Sequence, residues 1–490
     1  MSLNLISDAW IPVLDREGCR RVIAPWQMAD AKLLRPDWPR PDLNVACLEL
    51  LIGLVLLADP PAEDEEWEER RAPDPERLRE RLARFSPAFS LLGDGSRFMQ
   101  ELGGLEGVPI PPDLLFMDSG GKNGALTVRS GRYRSLDLPL ASIALYTLQT
   151  QAPEGGRGHL TSLRAGGPMV TLVDPGHGLW PLVWANVPAG QPAEPEILPW
   201  MRRTVTSDTG LPCYQHMAHP AEVMFGMPRR LWLVDADASV VGVIQRPSGT
   251  RYASWRHPMT PYQRSSPDEP PRPVRPRPGQ FGYRNWLGIV AAMPRDGLSE
   301  RAAVVETWNE RAPGIRANVI VAGWAMKSMK ARDFILSRAP LIELPEEKAI
   351  LLAGMVQAAE LYGVALRAAL RPVLAEGEAR EAAREEFFIR TQEAFEARLQ
   401  ALSDPDHGDE DESRLATARD WLGDMCAAAM TIFEEHSIPG LPDRRPEQQK
   451  AIVDAHRGLR SAFAGFGKSG GDAWAKLEIP PPETKKRRAA

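Results

Sequence analysis

The hydrophobic pattern of the sequence changes near Leu341, and this change limits the fold more than any other feature. Beyond it, apolar residues recur at steps of three and four, as on the buried face of a helix. The clearest repeat, within 413–435, is Leu415, Ala418, Leu422, Met425, Ala429 and Ile432. Four segments of this type are present, at 345–369, at 378–402, at 413–435 and from 446 onward. Breaks at 403–411 and 439–443 separate them, and the pattern predicts a four-helix bundle.

The part before Leu341 mixes strand and helix patterns. An apolar run at 43–58 predicts a buried helix capped by Asp42. Residues 3–13 predict two short strands with a turn at Ser7-Asp8. Further strands are predicted at 169–173, 230–234, 239–244 and 316–324. The predicted fold class is therefore α+β, with a large mixed N-terminal domain over 1–342, the four-helix bundle over 343–470 and a tail over 471–490.

Composition limits the kind of protein. The chain has 490 residues, is 43% hydrophobic and 25% charged, and carries a formal net charge of −6. That composition is typical of a soluble protein of two or three domains, and its acidity excludes a uniformly basic coat while allowing a local basic surface. Four widely spaced cysteines predict reduced thiols and a cytoplasmic protein. Residues 1–12 lack the pattern of a signal peptide, and no membrane span is predicted.

The densest glycine cluster lies between a predicted helix and a predicted strand. Residues 149–167 read Q-T-Q-A-P-E-G-G-R-G-H-L-T-S-L-R-A-G-G. Glycine lets the backbone approach a partner closely and expose N–H groups, and the interleaved Arg157 and Arg164 favour an anionic partner such as phosphate or a nucleic-acid groove. Plain turns explain the same glycines equally well. The stretch does not contain the G-x-G-x-x-G pattern of a dinucleotide-binding fingerprint. It is not a Walker A loop either, because no Lys-Ser or Lys-Thr pair follows its glycines.

Two further stretches are basic. Residues 114–136 form a glycine-rich loop that carries Lys122, Arg129, Arg132 and Arg134. Such loops contact phosphates, although a solvated surface loop has the same composition. At 326–332, Lys327, Lys330 and Arg332 surround two methionines on a predicted turn. Cations beside an apolar side chain can hold a nucleic-acid backbone while that side chain enters a base step, and methionine is also a common core residue.

The sequence does not predict a metal site, a cofactor or an enzyme. Cys213, His216 and His219 have ligand-like spacing, but no fourth ligand follows at a standard distance. No nucleophile is paired with a catalytic base. One alternative remains an enzyme that holds a nucleotide phosphate on the loop Gly155–Gly158. Another is a pure interaction scaffold whose bundle binds proteins and whose basic loops bind nothing.

Several stretches together resemble a known family. They are L-N-L-I-S-D-A-W-I-P-V at 3–13, F-M-Q at 98–100, the basic glycine loop after Phe116, Q-A-P-E-G-G-R-G-H-L-T-S-L-R-A-G-G-P-M-V-T-L-V at 151–173 and A-G-W-A-M-K-S-M-K-A-R at 322–332. In order and spacing they resemble CasA, the large subunit of the type I-E CRISPR Cascade complex. The resemblance covers nearly the whole chain, and none of its motifs is catalytic.

This resemblance implies that the chain recognises the protospacer-adjacent motif (PAM) in double-stranded DNA from the minor groove and starts R-loop formation. The implied DNA-binding residues, in the loop and in a strand-separating turn, are Gly155, Gly156, Arg157, Gly158, Lys327, Ser328, Met329, Lys330 and Arg332. The implied contacts to the 5′ handle of the CRISPR RNA (crRNA) and to the backbone subunits are Phe116, Met117, Asp118, Lys122, Asn123 and Arg129. Where the family usually has Phe-Val-Asn, this chain has Phe116-Met117-Asp118, and a carboxylate accepts but does not donate a hydrogen bond.

The resemblance also implies the partners. They are the crRNA, the double-stranded target, the handle-binding, backbone and small subunits of the complex, and a helicase-nuclease recruited after R-loop formation. The family's strand-separating glutamine has no counterpart in the turn at 327–332. Strand separation would then use Met329 as an apolar wedge, or be weaker.

Overall fold

The computed structural model describes residues 2–120, 124–125, 129, 131–156, 158–293, 297–403 and 410–482. These residues form two compact units. The first unit combines residues up to 279 with 298–341, and the second combines 280–297 with residues from 342 onward. The chain is therefore a mixture of helices and small sheets with helices at its C-terminal end, and the predicted α+β fold class is confirmed.

In the described residues the α-helices are α1 (Pro41–Ala58), α2 (Asp64–Glu69), α3 (Pro75–Ala83), α4 (Leu138–Gln151), α5 (Leu179–Ala185), α6 (Ala303–Arg311), α7 (Glu346–Ala369), α8 (Glu378–Ser403), α9 (Glu410–Ser437), α10 (Pro446–Phe463) and α11 (Gly467–Lys476). The strands are β1 (Ile11–Asp15), β2 (Arg20–Ile23), β3 (Leu33–Pro36), β4 (Ser119–Gly120), β5 (Gly124–Ala125), β6 (Leu136–Asp137), β7 (Val170–Asp174), β8 (Cys213–Tyr214), β9 (Arg230–Ala236), β10 (Ser239–Arg246), β11 (Tyr252–Ala253), β12 (Tyr262–Gln263), β13 (Arg272–Pro273), β14 (Ser299–Glu300), β15 (Asn318–Lys327) and β16 (Lys330–Pro340).

Two antiparallel sheets of the first unit support the glycine cluster. One has the order β16-β15-β7, and the other has the order β6-β10-β9. β7 pairs with β15 from Val170 opposite Ala322 to Asp174 opposite Asn318. The glycine cluster connects α4 to β7, so it leaves a buried helix and enters a central sheet.

The core of the first unit is built on α1 and α4, which are buried along almost their whole length. α1 begins with Pro41 after Arg40, and Arg40 makes no side-chain cap. The predicted cap at Asp42 is wrong: Asp42 lies inside the first turn and pairs with Arg40 at 2.9 Å. α1 and α7 are long and apolar enough to cross a membrane, but both are mostly buried in the described structure, and core helices satisfy the same criterion.

The predicted first hairpin is placed wrongly. The structure has no strand at 5–9; instead, Asn4 Oδ1 accepts the N–H groups of Ile6 and Ser7, both at 3.1 Å, and turns the chain locally. The first strand, β1, begins at Ile11 and pairs with β2. Asparagine competes with strand formation in this way because its short side chain bonds to the nearby backbone.

The second unit contains the predicted helices and one more. α7 to α10 begin and end within a few residues of the predicted segments. α11 was not predicted, because a segment with three glycines has a low helix propensity. A Cβ at Gly354 would lie 2.0 Å from the carbonyl oxygen of Lys476, so α7 and α11 touch backbone to backbone. Residues 280–297 also belong to this unit, where Tyr283 stacks on Phe395 at 4.3 Å.

Candidate nucleic-acid interface

The loop Pro153–Leu160, which we call the glycine loop, closes on itself. The N–H of Gly155 donates to the carbonyl of His159 at 2.9 Å, and the N–H of His159 donates to the carbonyl of Gly156 at 2.9 Å. Gly156 and Gly158 have φ angles of 67° and 81°, a region that side chains with a Cβ rarely adopt. Arg157, between them, lies outside the described residues. The loop is therefore a tight turn that needs glycine for its backbone shape.

The three glycines of the loop have different surroundings. A Cβ at Gly155 would lie 2.8 Å from Nη1 of Arg229, and a Cβ at Gly158 would lie 3.0 Å from the backbone nitrogen of Ser248. A Cβ at Gly156 would meet nothing within 4 Å. Gly155 and Gly158 thus allow the loop to pack against this chain, whereas Gly156 presents bare backbone to open space.

The end of α4 anchors the loop. The last carbonyls of a helix have no partner inside the helix and need one from elsewhere. The carbonyl of Thr150 accepts from Arg164 at 3.3 Å, that of Gln151 from the N–H of Gly167 at 3.1 Å, and that of Ala152 from the N–H of Ser162 at 2.9 Å. Residues 162–167 therefore fold back over the helix end, and they hold both sides of the loop to α4.

Arg164 is tied to α1 by a buried ion pair. Its Nη1 lies 2.5 Å from Oε1 of Glu49, and the two side chains are 1% and 0% exposed. Gln151 donates to the same carboxylate at 3.2 Å. Removing one partner of such a pair leaves an uncompensated buried charge, so the pair fixes the loop to the core. Sequence reasoning missed this role of Glu49; the signal was a single carboxylate inside the apolar run at 43–58.

The second candidate element is the hairpin of β15 and β16. Lys327 and Lys330 are opposite each other in the backbone pairing of the two strands, and Ser328 and Met329 form the two-residue turn between them. Both turn residues have positive φ angles, 50° and 64°. That geometry suits a hairpin of right-handed twist but favours Asn and Gly over Ser and Met. The turn is therefore strained, and its Met329 side chain is 55% exposed.

The predicted cations are exposed around this turn. Lys327, Lys330 and Arg332 all lie on the surface, while Ala331 between the last two is buried. The alternation follows from the strand, where successive side chains point to opposite faces. The structure thus brings the three cations together at one hairpin end. The sequence also allowed both methionines of this stretch to be core residues. That interpretation fits Met326, which is partly buried, and is wrong for Met329, which is exposed.

The glycine cluster and the hairpin share one scaffold. Gly167, with a φ angle of 62°, lies against β15: a Cβ there would be 2.6 Å from Met326 Cγ and 2.6 Å from the carbonyl oxygen of Trp324. The hairpin turn begins two residues beyond Met326, or about 7 Å along the strand. The DNA-binding residues predicted in two separate stretches therefore belong to neighbouring parts of the first unit.

Three of the six predicted handle-contact residues lie inside the chain. Phe116, Met117 and Asp118 are all buried. Asp118 Oδ1 accepts a hydrogen bond from Arg40 at 2.8 Å, and the guanidinium of Arg40 lies 5.0 Å from the centre of the Phe116 ring. Burial raises the pKa of Asp42, the other carboxylate at Arg40. These contacts stabilise the first unit, and the contact of these three residues with the crRNA handle or the backbone subunits stays a prediction.

The remaining handle-contact prediction rests on the loop beyond them. Arg129 is exposed, while Lys122 and Asn123 lie outside the described residues. The aspartate at 118 acts as a hydrogen-bond acceptor, as its chemistry requires, and Arg40 donates to it. Sequence reasoning missed that partner because Arg40 is 78 residues away along the chain.

Cys213, His216 and His219 do not form a ligand set. Nδ1 of His219 accepts the N–H of Ala221 at 3.2 Å, and His216 stacks on Tyr214 at 5.6 Å. Where the chain is described, the one group with three potential metal ligands close together is Asp15, Glu17 and Cys19. In that group the buried carboxylate of Asp15 accepts two backbone N–H groups of its own turn and forms an ion pair with Arg21. These contacts satisfy the carboxylate within the chain.

The comparison with protein families decides the identity of this scaffold. A sequence profile for the CRISPR-associated protein Cse1 matches residues 4–432. This chain belongs to the Cse1 family. The match spans the glycine loop, the hairpin and the segment at 116–118, and it ends within α9. The resemblance to CasA that the sequence motifs indicated is confirmed.

Solved structures agree in fold with this Cse1-family chain. The chain matches Thermus thermophilus CasA (Cse1) with a TM-score of 0.73 at 18% identity, covering 95% of this chain and 99% of that one. It matches Thermobifida fusca Cse1 with a TM-score of 0.71 at 17% identity, covering 97% and 98%. A chain of a CRISPR RNA-guided surveillance complex matches with a TM-score of 0.73 at 16% identity, covering 94% and 100%. At these identities the matches show the Cse1 fold.

Proposed function

We propose that this chain is the large subunit of a type I-E CRISPR surveillance complex, and that its glycine loop reads the PAM of double-stranded DNA from the minor groove. Gly156 carries this proposal, because a Cβ there would meet nothing within 4 Å while the loop around it is fastened to α4. Family membership supports the assignment, and one matching fold comes from a CRISPR RNA-guided surveillance complex.

A bare backbone suits the minor groove. That groove is about 6 Å wide and offers few groups that distinguish one base pair from another. A rigid backbone that enters it accepts some base pairs and rejects others by fit and by groove shape. The loop therefore reads a short motif with relaxed preference, while pairing to the guide RNA reads the rest of the target.

The hairpin turn supplies the next step. Its exposed Met329 is an apolar side chain on a short turn between Lys327 and Lys330. Cations that hold the phosphate backbone on both sides let an apolar side chain enter and unstack a base step. We assign the first strand separation to this turn, followed by R-loop formation.

The partners follow from this role. They are the crRNA, the double-stranded target, the other subunits of the complex, and a helicase-nuclease that docks on this chain after R-loop formation. The assembled complex acts in the cytoplasm, consistent with four free cysteines. The chain itself catalyses no reaction in this proposal.

The test is binding of the reconstituted complex, at fixed salt, to duplexes randomised beside the guide-matched target. Three chains are compared: wild type, Gly156→Asp and Gly156→Asn. Asp and Asn tolerate a positive φ angle about equally and differ by one charge. We expect the wild-type complex to prefer a short motif and the Gly156→Asn complex to show a weaker preference for it. The Gly156→Asp complex should lose the preference while still binding matched single strands normally. A motif preference that survives both substitutions would contradict the proposal.

The nucleotide-binding enzyme remains the second candidate, and the loop argues against it. A phosphate cradle needs free backbone N–H groups, but those of Gly155 and His159 both donate within the loop. Tight binding of ATP by the isolated chain would revive this alternative. A pure interaction scaffold predicts instead that duplex binding is unchanged when Gly156 and Lys327 are substituted together.

A further inference from the structure

Arg229 lies beneath the glycine loop and holds both of its ends. Its Nε donates to the carbonyl of Leu160 at 2.7 Å, and its Nη2 donates to the carbonyl of Pro153. These two residues are the last and the first of the loop. The backbone of Arg229 is fixed in turn, because its N–H donates to Gln149 Oε1 at 3.0 Å and its carbonyl accepts from Gln149 Nε2 at 2.9 Å.

Among the described residues, no acidic group pairs with the charge of Arg229. Its side chain is 5% exposed, yet it makes no ion pair in the described part of the chain. Burial alone lowers its pKa to about 10, with no carboxylate opposing that shift. The contrast is Arg164, which is also buried near the same helix end but faces Glu49. A buried cation without a counter-charge is unfavourable, and the negative end of the α4 dipole offsets part of that penalty.

A second group beneath the loop is also unsatisfied. Nδ1 of His159 is buried and has no hydrogen-bond partner among the described residues. Burial and the nearby charge of Arg229 both lower the pKa of this imidazole, so the ring is neutral near pH 7. Two groups therefore lie beneath the loop without a partner among the described residues: the guanidinium of Arg229, which lacks a counter-charge, and Nδ1 of His159, which lacks a hydrogen bond.

We propose that Arg229 is a positioning residue with two effects on the glycine loop: its two hydrogen bonds set the loop's shape, and its unpaired charge attracts the duplex DNA that the loop reads. This inference rests on the proposed function of the loop. It adds a residue that touches no DNA itself but controls how well the loop fits and how strongly it attracts an anion.

The glycine at 155 is part of the same arrangement. A Cβ there would lie 2.8 Å from Nη1 of Arg229 and 2.8 Å from the Cβ of His159. The guanidinium thus occupies the space that a side chain at 155 would need. Gly155→Ala consequently displaces Arg229 without changing any charge, which gives a second way to disturb the loop.

The first experiment measures loop shape without DNA, by hydrogen exchange of the peptide that spans residues 150–162 in the full-length chain. The variants are Arg229→Lys, Arg229→Gln and Gly155→Ala. The control is Arg311→Gln, which removes a buried arginine whose contacts are Asp64, Val187 and Trp67. We expect exchange at Gly155 and His159 to rise at least tenfold in the three loop variants and to stay unchanged in the control. Equal exchange in all the chains would overturn the positioning role.

The second experiment measures duplex binding by the reconstituted complex over a range of salt concentrations. Arg229→Lys keeps the charge but replaces the two separate donor nitrogens of the planar guanidinium with one ammonium nitrogen, and Arg229→Gln keeps a donor but removes the charge. We expect Arg229→Gln to weaken duplex binding about fivefold and to flatten its salt dependence, since one nearby charge is lost. Arg229→Lys should keep the wild-type salt dependence and lose motif discrimination. Identical salt dependence in Arg229→Gln and wild type would overturn the electrostatic role.

The two experiments separate the inference from the function on which it rests. If wild type shows no motif preference, the proposed function fails, while the hydrogen-exchange result still decides whether Arg229 shapes the loop. If wild type shows a preference and the Arg229 variants keep both that preference and the wild-type exchange rates, the inference fails and the proposed function stands.

Discussion

Gly167 lies so close to β15 that a methyl group on it would sit 2.6 Å from the carbonyl oxygen of Trp324. The contact is with backbone, which cannot move aside without breaking the sheet. It also joins the glycine cluster to the strand that ends in the Ser328–Met329 turn. The glycine cluster and the hairpin turn are about 160 residues apart in the sequence. They can pack together only because residue 167 has no side chain.

We expect Gly167→Ala to destabilise the first unit by roughly 3 kcal/mol, because the clash with backbone adds to about 1–2 kcal/mol of strain at a positive φ angle. Urea unfolding followed by tryptophan fluorescence measures this loss. Gly156→Ala is the matched control, with a similar φ angle of 67° and open space around the new methyl group. It should cost about 1–2 kcal/mol, the strain alone. Equal losses in the two variants would contradict the close contact.

The strain of the hairpin turn makes a prediction about stability and function together. Ser328→Asn should stabilise the chain by about 0.5 kcal/mol, since Asn tolerates positive φ angles. Met329→Gly should stabilise the turn by about 1 kcal/mol but slow strand separation, because the exposed wedge is gone. Fluorescence of a base analogue placed beside the PAM measures the opening step. A Met329→Gly complex that opens DNA at the wild-type rate would exclude this methionine as the wedge.

The Glu49–Arg164 pair should respond asymmetrically. Glu49→Gln leaves a buried guanidinium without its counter-charge, and we expect a loss of about 3–5 kcal/mol in the free energy of unfolding. The double variant Glu49→Gln, Arg164→Met removes both charges and should recover at least half of that loss. Urea unfolding of the single and double variants gives the coupling. If the double variant is no more stable than Glu49→Gln, the buried charge is not what makes the single change costly.

Acid should destabilise the first unit through His257. This side chain is 4% exposed, its Nδ1 accepts the N–H of Met259 at 3.3 Å, and burial with the charge of Arg164 holds its pKa well below 6.5. The unfolded chain takes up a proton at this residue near pH 6.5 and the folded chain does not. Stability from this residue is thus complete above pH 6.5 and declines as the pH falls, by up to about 1.4 kcal/mol per pH unit.

Urea unfolding of wild type and His257→Gln between pH 5 and pH 8 tests this. The variant should be less stable at pH 8, where the native hydrogen bond is disturbed, and the gap should narrow toward pH 5. Parallel curves over the whole range would show that His257 does not control the acid response. The backbone N–H of His257 donates to the hydroxyl of Tyr262 at 2.8 Å. This bond does not involve the side chain that is replaced, so it is available in both chains.

The sequence predicted elements whose cause is local. Helical periodicity located α7 to α10, and runs of Val and Ile located β7 and β15, because these patterns report burial on one face of an element. The glycines at 155–167 marked a loop of unusual shape because their backbone freedom is also a local property. α11 was missed because its glycines lower helix propensity, and the close contact that one of them allows with α10 is visible only in the folded chain: a Cβ at Gly470 would lie 2.4 Å from the carbonyl oxygen of Ala462.

The candidate site could be predicted only in part. The glycine loop and the hairpin cations stood out in the sequence, but their supports did not. Arg229 bonds to Pro153 across 76 positions, and Arg164 bonds to Glu49 across 115. Nothing in the composition near either arginine marks such a partner. For Phe116–Asp118 the missing knowledge was Arg40, whose contacts bury the start of a segment that the sequence predicted as a loop.

The way α4 ends has a consequence for redesign. Four successive carbonyls, from Thr150 to Pro153, are each satisfied by a group in the segment that follows or by Arg229. A longer or shorter loop would leave at least one of them bare, so the loop is not an exchangeable cassette. New motif preferences are therefore accessible by substitution at Gly156, where there is room, whereas grafting a relative's loop requires its counterparts of Arg164 and Arg229 to be transplanted with it.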